Sequence, residues 1–267
     1  MNIFLIVALV AGLGTSEAAQ KKSAVIFDLD DTLVETRYRS YEILRQIAVQ
    51  QNLPQLLNLT VDTTDYYCTK SLSNVGLTDA TIVAKVCGES DWASELQSLW
   101  GKKFHANPAS IPYDHMLAGA PLFVNALVKD LGVQVIYLTG RNQEATARAS
   151  QAQLNYYGFP KGPLITKPTA YTGPDEEFKR QELRRLLQTY NVVAVFDDSL
   201  KNANMFRAEL PLTVPVVRPT RTPGDPSGVS AGIDQIRDYL AGEPTLRSVV
   251  ERAKKLKKPG ASSERPS

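Results

Sequence analysis

Four apolar runs in this chain each stop abruptly at polar residues, and this pattern constrains the fold more than any other feature. Ala24-Val25-Ile26-Phe27 gives way to Asp28-Leu29-Asp30-Asp31-Thr32, and Val133 to Leu138 ends in Thr139-Gly140-Arg141. Val192 to Phe196 ends in Asp197-Asp198, and Leu212 to Val217 ends in Arg218-Pro219. A weaker run, Pro163-Leu164-Ile165-Thr166, is similar. Short β-branched runs without polar alternation read as strands buried on both faces.

Helical patterns lie between these strands. Pro121 to Leu131 carries Leu122, Phe123, Ala126 and Leu127 and stops at Gly132, a C-cap signal. Glu144 to Tyr156 is rich in alanine, with Gly158 after it, and Asp175 to Tyr190 sets Phe178, Leu183, Leu186 and Leu187 on one face. Strands that alternate with helices imply an α/β fold, a Rossmann-like doubly wound parallel sheet covered on both faces. Such sheets bind ligands at the carboxyl ends of their strands, where every polar cluster named above falls.

The stretch 37–114 breaks the alternation and reads as mostly helical. Tyr41, Leu44, Ile47 and Ala48 have helical spacing, as do Trp92, Leu96, Leu99 and Trp100, with Asp91 as an N-cap. It is expected to form a helical cap inserted after the first strand, leaving 20–36 and 115–242 as the core. Region 243–267 is expected to hold one more helix, carrying Leu246, Val249 and Val250, and then a disordered tail. The run Lys254-Lys255-Leu256-Lys257-Lys258 is read as a solvated basic tail, the alternative being contact with an anionic surface.

Residues 1–19 read as a secretory signal peptide. Ile3 to Leu13 is apolar, followed by Gly14, Thr15, Ser16 and the small pair Ala18-Ala19. The run is shorter than the roughly 20 residues that a membrane span needs. No Lys or Arg precedes it, and a retained anchor or a buried terminal segment is the alternative. Cleavage would make the protein extracytoplasmic, secreted or periplasmic, without a membrane span. In that oxidising setting Cys68 and Cys87, the two cysteines of the chain, either pair or stay as thiols. A bridge would close a loop of about 20 residues, worth about 3 kcal/mol by chain entropy.

Two cysteines and two histidines, His105 and His115, rule out a four-cysteine zinc site and a histidine-rich metal site. The formal net charge of +2 gives no strong signal for nucleic-acid binding. Chemistry therefore rests on the carboxylates. Asp28 and Asp30 follow a strand directly, and two acids two residues apart can both face a ligand on extended backbone. Phosphoryl transfer needs a nucleophile, a proton donor for the leaving oxygen, and cationic screening. Crowded carboxylates suit a hard divalent cation, most naturally Mg²⁺. The alternative is an acidic loop that only caps a helix.

Taken together, these segments resemble the motifs of the haloacid dehalogenase superfamily. Asp28-Leu29-Asp30-Asp31-Thr32 resembles the first motif and Leu138-Thr139-Gly140-Arg141 the second. Lys179 resembles the third-motif lysine, and Phe196-Asp197-Asp198-Ser199 the acidic fourth motif, with Asn202 following. The order holds from Ala24 to about Val217. The resemblance implies a phosphohydrolase of acid-phosphatase type, with Asp28 as nucleophile and Asp30 as acid/base, the presence of Asp30 favouring phosphate esters over dehalogenation. It implies phosphate binding by Thr139, Gly140 and Lys179. It also implies Mg²⁺ held by Asp28, the Asp30 carbonyl, Asp198 and Asp197, with the direct ligand of the last two left open. Lys167 competes with Lys179 for its role.

In this family a cap acts as a lid and favours small phosphorylated substrates. Arg37, Tyr38 and Arg39 stand at its start, either touching an anionic substrate or serving as surface and packing residues. Arg141 either reaches the site or pairs structurally, and Asn202 either organises its loop or touches the metal. Competing readings are a nucleotide or polynucleotide-end phosphatase, a phosphotransferase, and a non-catalytic binding module.

Overall fold

The computed structural model describes residues 21–50, 52, 57, 101–220, 227–240 and 243–257. The leader 1–19, the Trp92 helical pattern, Cys68, Cys87 and the tail beyond Lys257 lie outside them.

Six parallel strands form one sheet in the order β5-β4-β1-β6-β7-β8. They are β1 (Lys22–Phe27), β4 (Gln134–Asn142), β5 (Leu164–Lys167), β6 (Tyr190–Phe196), β7 (Val216–Pro219) and β8 (Ile233–Ile236). A separate antiparallel ribbon joins β2 (Val34–Glu35) to β3 (His115–Met116). The helices are α1 (Arg37–Gln50), α2 (Ala120–Leu131), α3 (Gln143–Tyr156), α4 (Asp175–Thr189), α5 (Leu200–Glu209) and α6 (Pro244–Leu256). A 3₁₀ turn spans Pro108–Tyr113, and 101–106 is helical. This is the expected α/β architecture.

Helices cover both faces because β1 is apolar on both sides. Val25 and Phe27 join one core with Val124, Leu127, Leu131 and Val249, while Ala24 and Ile26 join the other with Phe178, Leu183 and Phe206. Ala24 to Phe27 are all but fully buried, as a central strand between β4 and β6 must be. Gly132 adopts φ 57° and closes α2, the left-handed cap read from the sequence.

Several boundaries differ from expectation. The β4 strand runs on through Thr139-Gly140-Arg141 to Asn142, with a register shift against β5 between Thr139 and Asn142. The run from Leu212 becomes a strand only at Val216, because Leu210 to Pro215 is a turn that leaves Leu212 exposed. Helix α5 and strand β8 had no clear sequence signal: α5 mixes polar and apolar residues, and β8 contains Asp234 and Gln235. The basic run starts inside α6, which extends through Leu256.

The ribbon β2–β3 joins the two ends of the stretch 37–114. Val34 pairs with Met116 and Glu35 with His115, and the Tyr38 ring stacks on His115 with centroids 3.7 Å apart. Whatever this stretch covers, its entry and exit are clamped beside the carboxyl end of β1.

Candidate active site

Backbone pairing places the acids. The Asp28 amide donates to the Phe196 carbonyl at 2.9 Å, and the Asp197 amide to the Val217 carbonyl at 3.0 Å. Each therefore extends a parallel ladder by one residue beyond an apolar strand. Phe27 and Phe196, the residues just before them, pair in register and stack with ring centroids 4.5 Å apart. This aromatic floor fixes Asp28 and Asp197 side by side.

The chain then turns sharply. The Leu29 carbonyl accepts from the amides of Thr32, Leu33 and Val34. Asp31 sits at φ 51°, a left-handed conformation that Asp tolerates better than most residues. Its carboxylate accepts from the Thr36 amide at 2.9 Å and the Thr36 hydroxyl at 3.0 Å, fixing the entry to α1. Thr32 is fully buried and bridges the first and fourth motifs. Its hydroxyl accepts from the Asp198 amide at 2.9 Å and donates to Asp198 Oδ1 at 3.2 Å.

Lys179 stands between the acids. Its Nζ lies 3.0 Å from Asp28 Oδ1, 2.8 Å from Asp197 Oδ2 and 3.7 Å from Asp175 Oδ2. Burial opposes its charge, but Asp197, Asp28 and Asp175 outweigh that and hold its pKa well above the usual lysine range. The competitor, Lys167, is instead paired with Asp175 at 3.3 Å and partly exposed. Thus Lys179, not Lys167, touches Asp28. Lys179 lies one turn into α4 rather than opening it, since the helix begins at Asp175.

Asp28, Asp197 and Asp198 each bring one oxygen to within 4.8 Å of the others. Asp28 Oδ1 is buried and accepts no hydrogen bond, although it stands at ion-pair distance from Lys179. Burial, then the like charges of Asp31, Asp197 and Asp28, push Asp198 well above the usual carboxylate range. Burial likewise raises Asp28, despite Lys179. A divalent cation with oxygen ligands relieves this kind of strain, so the residues fit the magnesium that the family generally uses.

The two fourth-motif acids differ in surroundings. Asp197 accepts from Lys179, the Ser199 amide and Asn202 Nδ2. Asp198 accepts through its side chain only from Thr32 among these contacts. Asp198 is the donor-poor carboxylate. Asn202 is buried and donates to Asp197 through Nδ2, a contact that organises the fourth-motif loop.

Asp30 faces away from the lysine, toward two arginines. Arg141 Nη2 lies 2.6 Å from Asp30 Oδ1, and Arg141 Nε approaches both oxygens at 3.1 and 3.3 Å. Arg39 Nη2 pairs with the same Oδ1. Burial disfavours the Asp30 anion, but Arg141 and Arg39 outweigh it and hold its carboxyl far below the usual range. Arg39 is therefore neither a surface residue nor free to meet substrate. Its side chain is fully buried, its Nη1 donates to the Phe104 carbonyl at 3.3 Å, and it stacks over the Phe104 ring at 4.0 Å. Arg141 does both things considered for it: it reaches the site and is anchored structurally by Ser150 and Gln153, each at 2.9 Å.

Thr139 and Gly140 precede Arg141 near the end of β4. Thr139 is buried, and its hydroxyl accepts from the Arg141 amide at 3.3 Å. Sequence reasoning missed Asp114, Gln153, Asp175 and the bridging role of Thr32. Thr32 lay inside a recognised motif. Asp175 occupied a visible helix start, four residues before Lys179. Asp114 and Gln153 carried no local signal.

The match between chain and known families agrees with this geometry. Residues 22–208 match the family model of haloacid dehalogenase-like hydrolases, and the chain belongs to that family. No curated protein sequence matches significantly. Among solved structures, a predicted phosphatase from Clostridium acetobutylicum has TM-score 0.52 at 10% identity, covering 81% of this chain and 94% of its own. A subfamily IA hydrolase of the superfamily from Geobacter sulfurreducens has TM-score 0.51 at 15% identity, covering 82% and 93%. A haloacid dehalogenase-like family protein from Streptococcus pneumoniae has TM-score 0.50 at 13% identity, covering 80% and 92%. At these identities the likeness carries the fold. The protein is thus an enzyme of the haloacid dehalogenase-like phosphohydrolases, and its likeness to acid phosphatases remains a resemblance. No helix of the described residues is long and apolar enough to cross a membrane.

Proposed function

We propose that this enzyme is a Mg²⁺-dependent phosphomonoesterase working through an aspartyl-phosphate on Asp28. The observation that carries the reading is the pair Asp28 and Asp30 at the end of the central strand, one against a buried lysine and the other against two arginines. The pair separates the two tasks that phosphate ester cleavage requires.

Asp28 attacks phosphorus, the bond to the leaving oxygen breaks, and Asp30 gives that oxygen a proton. Asp30 then takes a proton from water, which attacks the aspartyl-phosphate and frees phosphate and Asp28. Lys179 holds Asp28 in place and offsets phosphoryl charge, while the Thr139 hydroxyl and Gly140 amide bind phosphate oxygens. Asp28, the Asp30 carbonyl and Asp198 would hold Mg²⁺, with Asp197 orienting it from its fully engaged position. The ion, when bound, screens the phosphoryl charge.

The arginines make Asp30 an anion in the free enzyme, ready for the water step. For the first step it needs a proton, which acidity and the negative charge of a bound phosphate both favour. That requirement supports an acid-phosphatase-like activity on small phosphorylated substrates, with the stretch 37–114 as lid. The leader pattern supports an extracytoplasmic enzyme beginning near Ala19 or Gln20. Intact Met1 on secreted material would remove that part.

The test is hydrolysis of an aryl phosphate by protein lacking residues 1–19, with Mg²⁺, with chelator, and with Asp28→Asn. Turnover that needs both Mg²⁺ and Asp28 supports the reading. Turnover that survives chelation or Asp28→Asn overturns it.

A further inference from the structure

Asp114 ends the lid stretch, and no part of the mechanism above uses it, yet its side chain is fully buried among charges. Its Oδ1 lies 2.8 Å from Arg39 Nε. Its Oδ2 accepts from Arg141 Nη2 at 2.8 Å and from Gln153 Nε2 at 3.0 Å. The core fixes it further, because its carbonyl accepts from the Tyr157 hydroxyl at 2.6 Å. Asp114 and Asp30 thus each touch both arginines, and the four side chains form a closed, neutral set of two cations and two anions.

The set is not symmetrical. Arg39, Arg141 and Asp114 have side chains at 0% exposure, while Asp30 keeps 13%. Of the four, only Asp30 keeps any exposure. Asp114 binds Arg39 at Nε, while Asp30 takes Arg39 Nη2; on Arg141 the two carboxylates share Nη2, and Asp30 also takes Nε. A buried guanidinium that loses its partner must find another, since leaving a buried charge uncompensated is strongly unfavourable. Without Asp114, Arg39 Nε and the Arg141 Nη2 that it now shares would turn to Asp30 and tighten a hold that already reaches both of its oxygens.

We propose that Asp114 is a positioning residue for phosphate ester cleavage: by binding Arg39 Nε and sharing Arg141 Nη2 with Asp30, it sets where the two guanidiniums stand and so how tightly they hold Asp30. The inference rests on the reading of Asp30 as the acid/base. It also links chemistry to the lid. Asp114 lies between the 3₁₀ turn Pro108–Tyr113 and β3, whereas Arg39 lies in the first turn of α1. The two ends of the lid stretch therefore meet at the acid through one ion-pair set.

The experiment compares Asp114→Asn with the native enzyme on two Mg²⁺-supported substrates, a nitrophenyl phosphate and an alkyl phosphate. Nitrophenolate leaves with little help from an acid, whereas an alkoxide needs a proton. Positioning of Asp30 should therefore show as a kcat loss at least about tenfold larger on the alkyl ester, within the range of acid–base catalysis. The KM ratio between the substrates should stay the same. A merely structural role predicts equal losses on both esters, and that result, or no loss on either, overturns the proposal. Should the asparagine variant fail to fold by circular dichroism, Asp114→Glu keeps the charge but displaces it, and the same selective loss is expected. Asp28→Asn runs alongside. If it retains turnover, the nucleophile reading has failed; if it is inactive while Asp114 variants lose both substrates equally, only the present inference has.

Discussion

Gly140 and Asp175 are packed so closely that a side chain on the glycine would run into the carboxylate: a Cβ there would stand 2.9 Å from Asp175 Cγ. The glycine is thus required by an acid 35 residues further along, on the first turn of α4, besides offering its amide at the end of β4. Asp175 cannot retreat freely, because it holds Lys167 and Lys179. Gly140→Ala is expected to lower stability by about 1–3 kcal/mol, the usual cost of overpacking, and to reduce turnover. Thermal unfolding checks the cause. Combined with Asp175→Ala, the loss should be less than the sum of the two single losses, as for residues in contact; additive losses would refute the clash.

The two lysines near Asp175 should behave very differently. Lys179 is buried between Asp28 and Asp197, so Lys179→Met leaves two carboxylates without their cation. Turnover should fall by roughly 10²–10³, as when a preorganised electrostatic contact to the reacting group is removed. Lys167→Met removes a partly exposed pair with Asp175 and should cost no more than about 1 kcal/mol, with turnover within about threefold of native. Steady-state kinetics on both variants decides; comparable losses would return Lys167 to the site.

The strands carrying Asp28 and Asp197 were legible because a central parallel strand has to be apolar on both faces, and Val25-Ile26-Phe27 and Val193-Ala194-Val195 leave little alternative. The acids that follow were legible because a parallel sheet puts function at those ends. Lys179 was preferred to Lys167 on its helix, and it is Lys179 that contacts Asp28, although the helix opens at Asp175. The arginine role was not legible. Arg39 looks like any exposed residue at a helix start, and it is buried only because Phe104 and Asp114 fold back over it from the far end of the lid stretch. No local pattern encodes a contact made across 65 or 75 residues of chain. Strand β8 escaped for a similar reason: an edge strand with three half-buried residues lacks the apolar signal of the centre.

The acid cluster is expected to make stability depend on pH and, if magnesium is the ion it holds, on magnesium too. Asp28 and Asp198 have carboxyls raised by burial, so the folded metal-free protein holds protons that the unfolded chain has released. Their contribution is fully present below the ordinary carboxylate value near pH 4 and is lost as pH rises through the raised values. Metal-free protein should therefore melt at a higher temperature at about pH 5 than at about pH 7, as far as these groups decide it. Magnesium prefers the ionised acids, so its effect should run the other way. At a hundredfold excess over its dissociation constant it adds about 2.7 kcal/mol, roughly 5–10 °C in Tm for a chain of this size. The gain should be larger at neutral than at acid pH. Scanning calorimetry with and without Mg²⁺ measures both signs, and a magnesium gain that grows toward acid would contradict the cluster as its site.

On the proposed reading of Asp30 as the acid, the arginines are expected to set the pH at which it acts. Arg141 and Arg39 hold its carboxyl far below the usual range, against the opposing effect of burial. In the free enzyme the protonated fraction therefore falls as pH rises throughout the working range, and kcat/KM for an alkyl phosphate should climb as pH is lowered from neutrality. Replacing Arg39 by glutamine removes one of the two cations and raises the Asp30 pKa toward its ordinary value. The alkyl profile should move to higher pH, with the alkyl-to-nitrophenyl ratio at about pH 7 rising roughly tenfold even if both absolute rates fall. Taking the ratio to native enzyme on the same ester cancels the ionisation of the substrate itself. Loss of Arg39 and loss of Asp114 then push the ratio in opposite directions, one by loosening the grip on Asp30 and the other by tightening it. An Arg39→Gln profile that superimposes on the native one would show that the arginine serves only to pack α1 against Phe104 and Asp114.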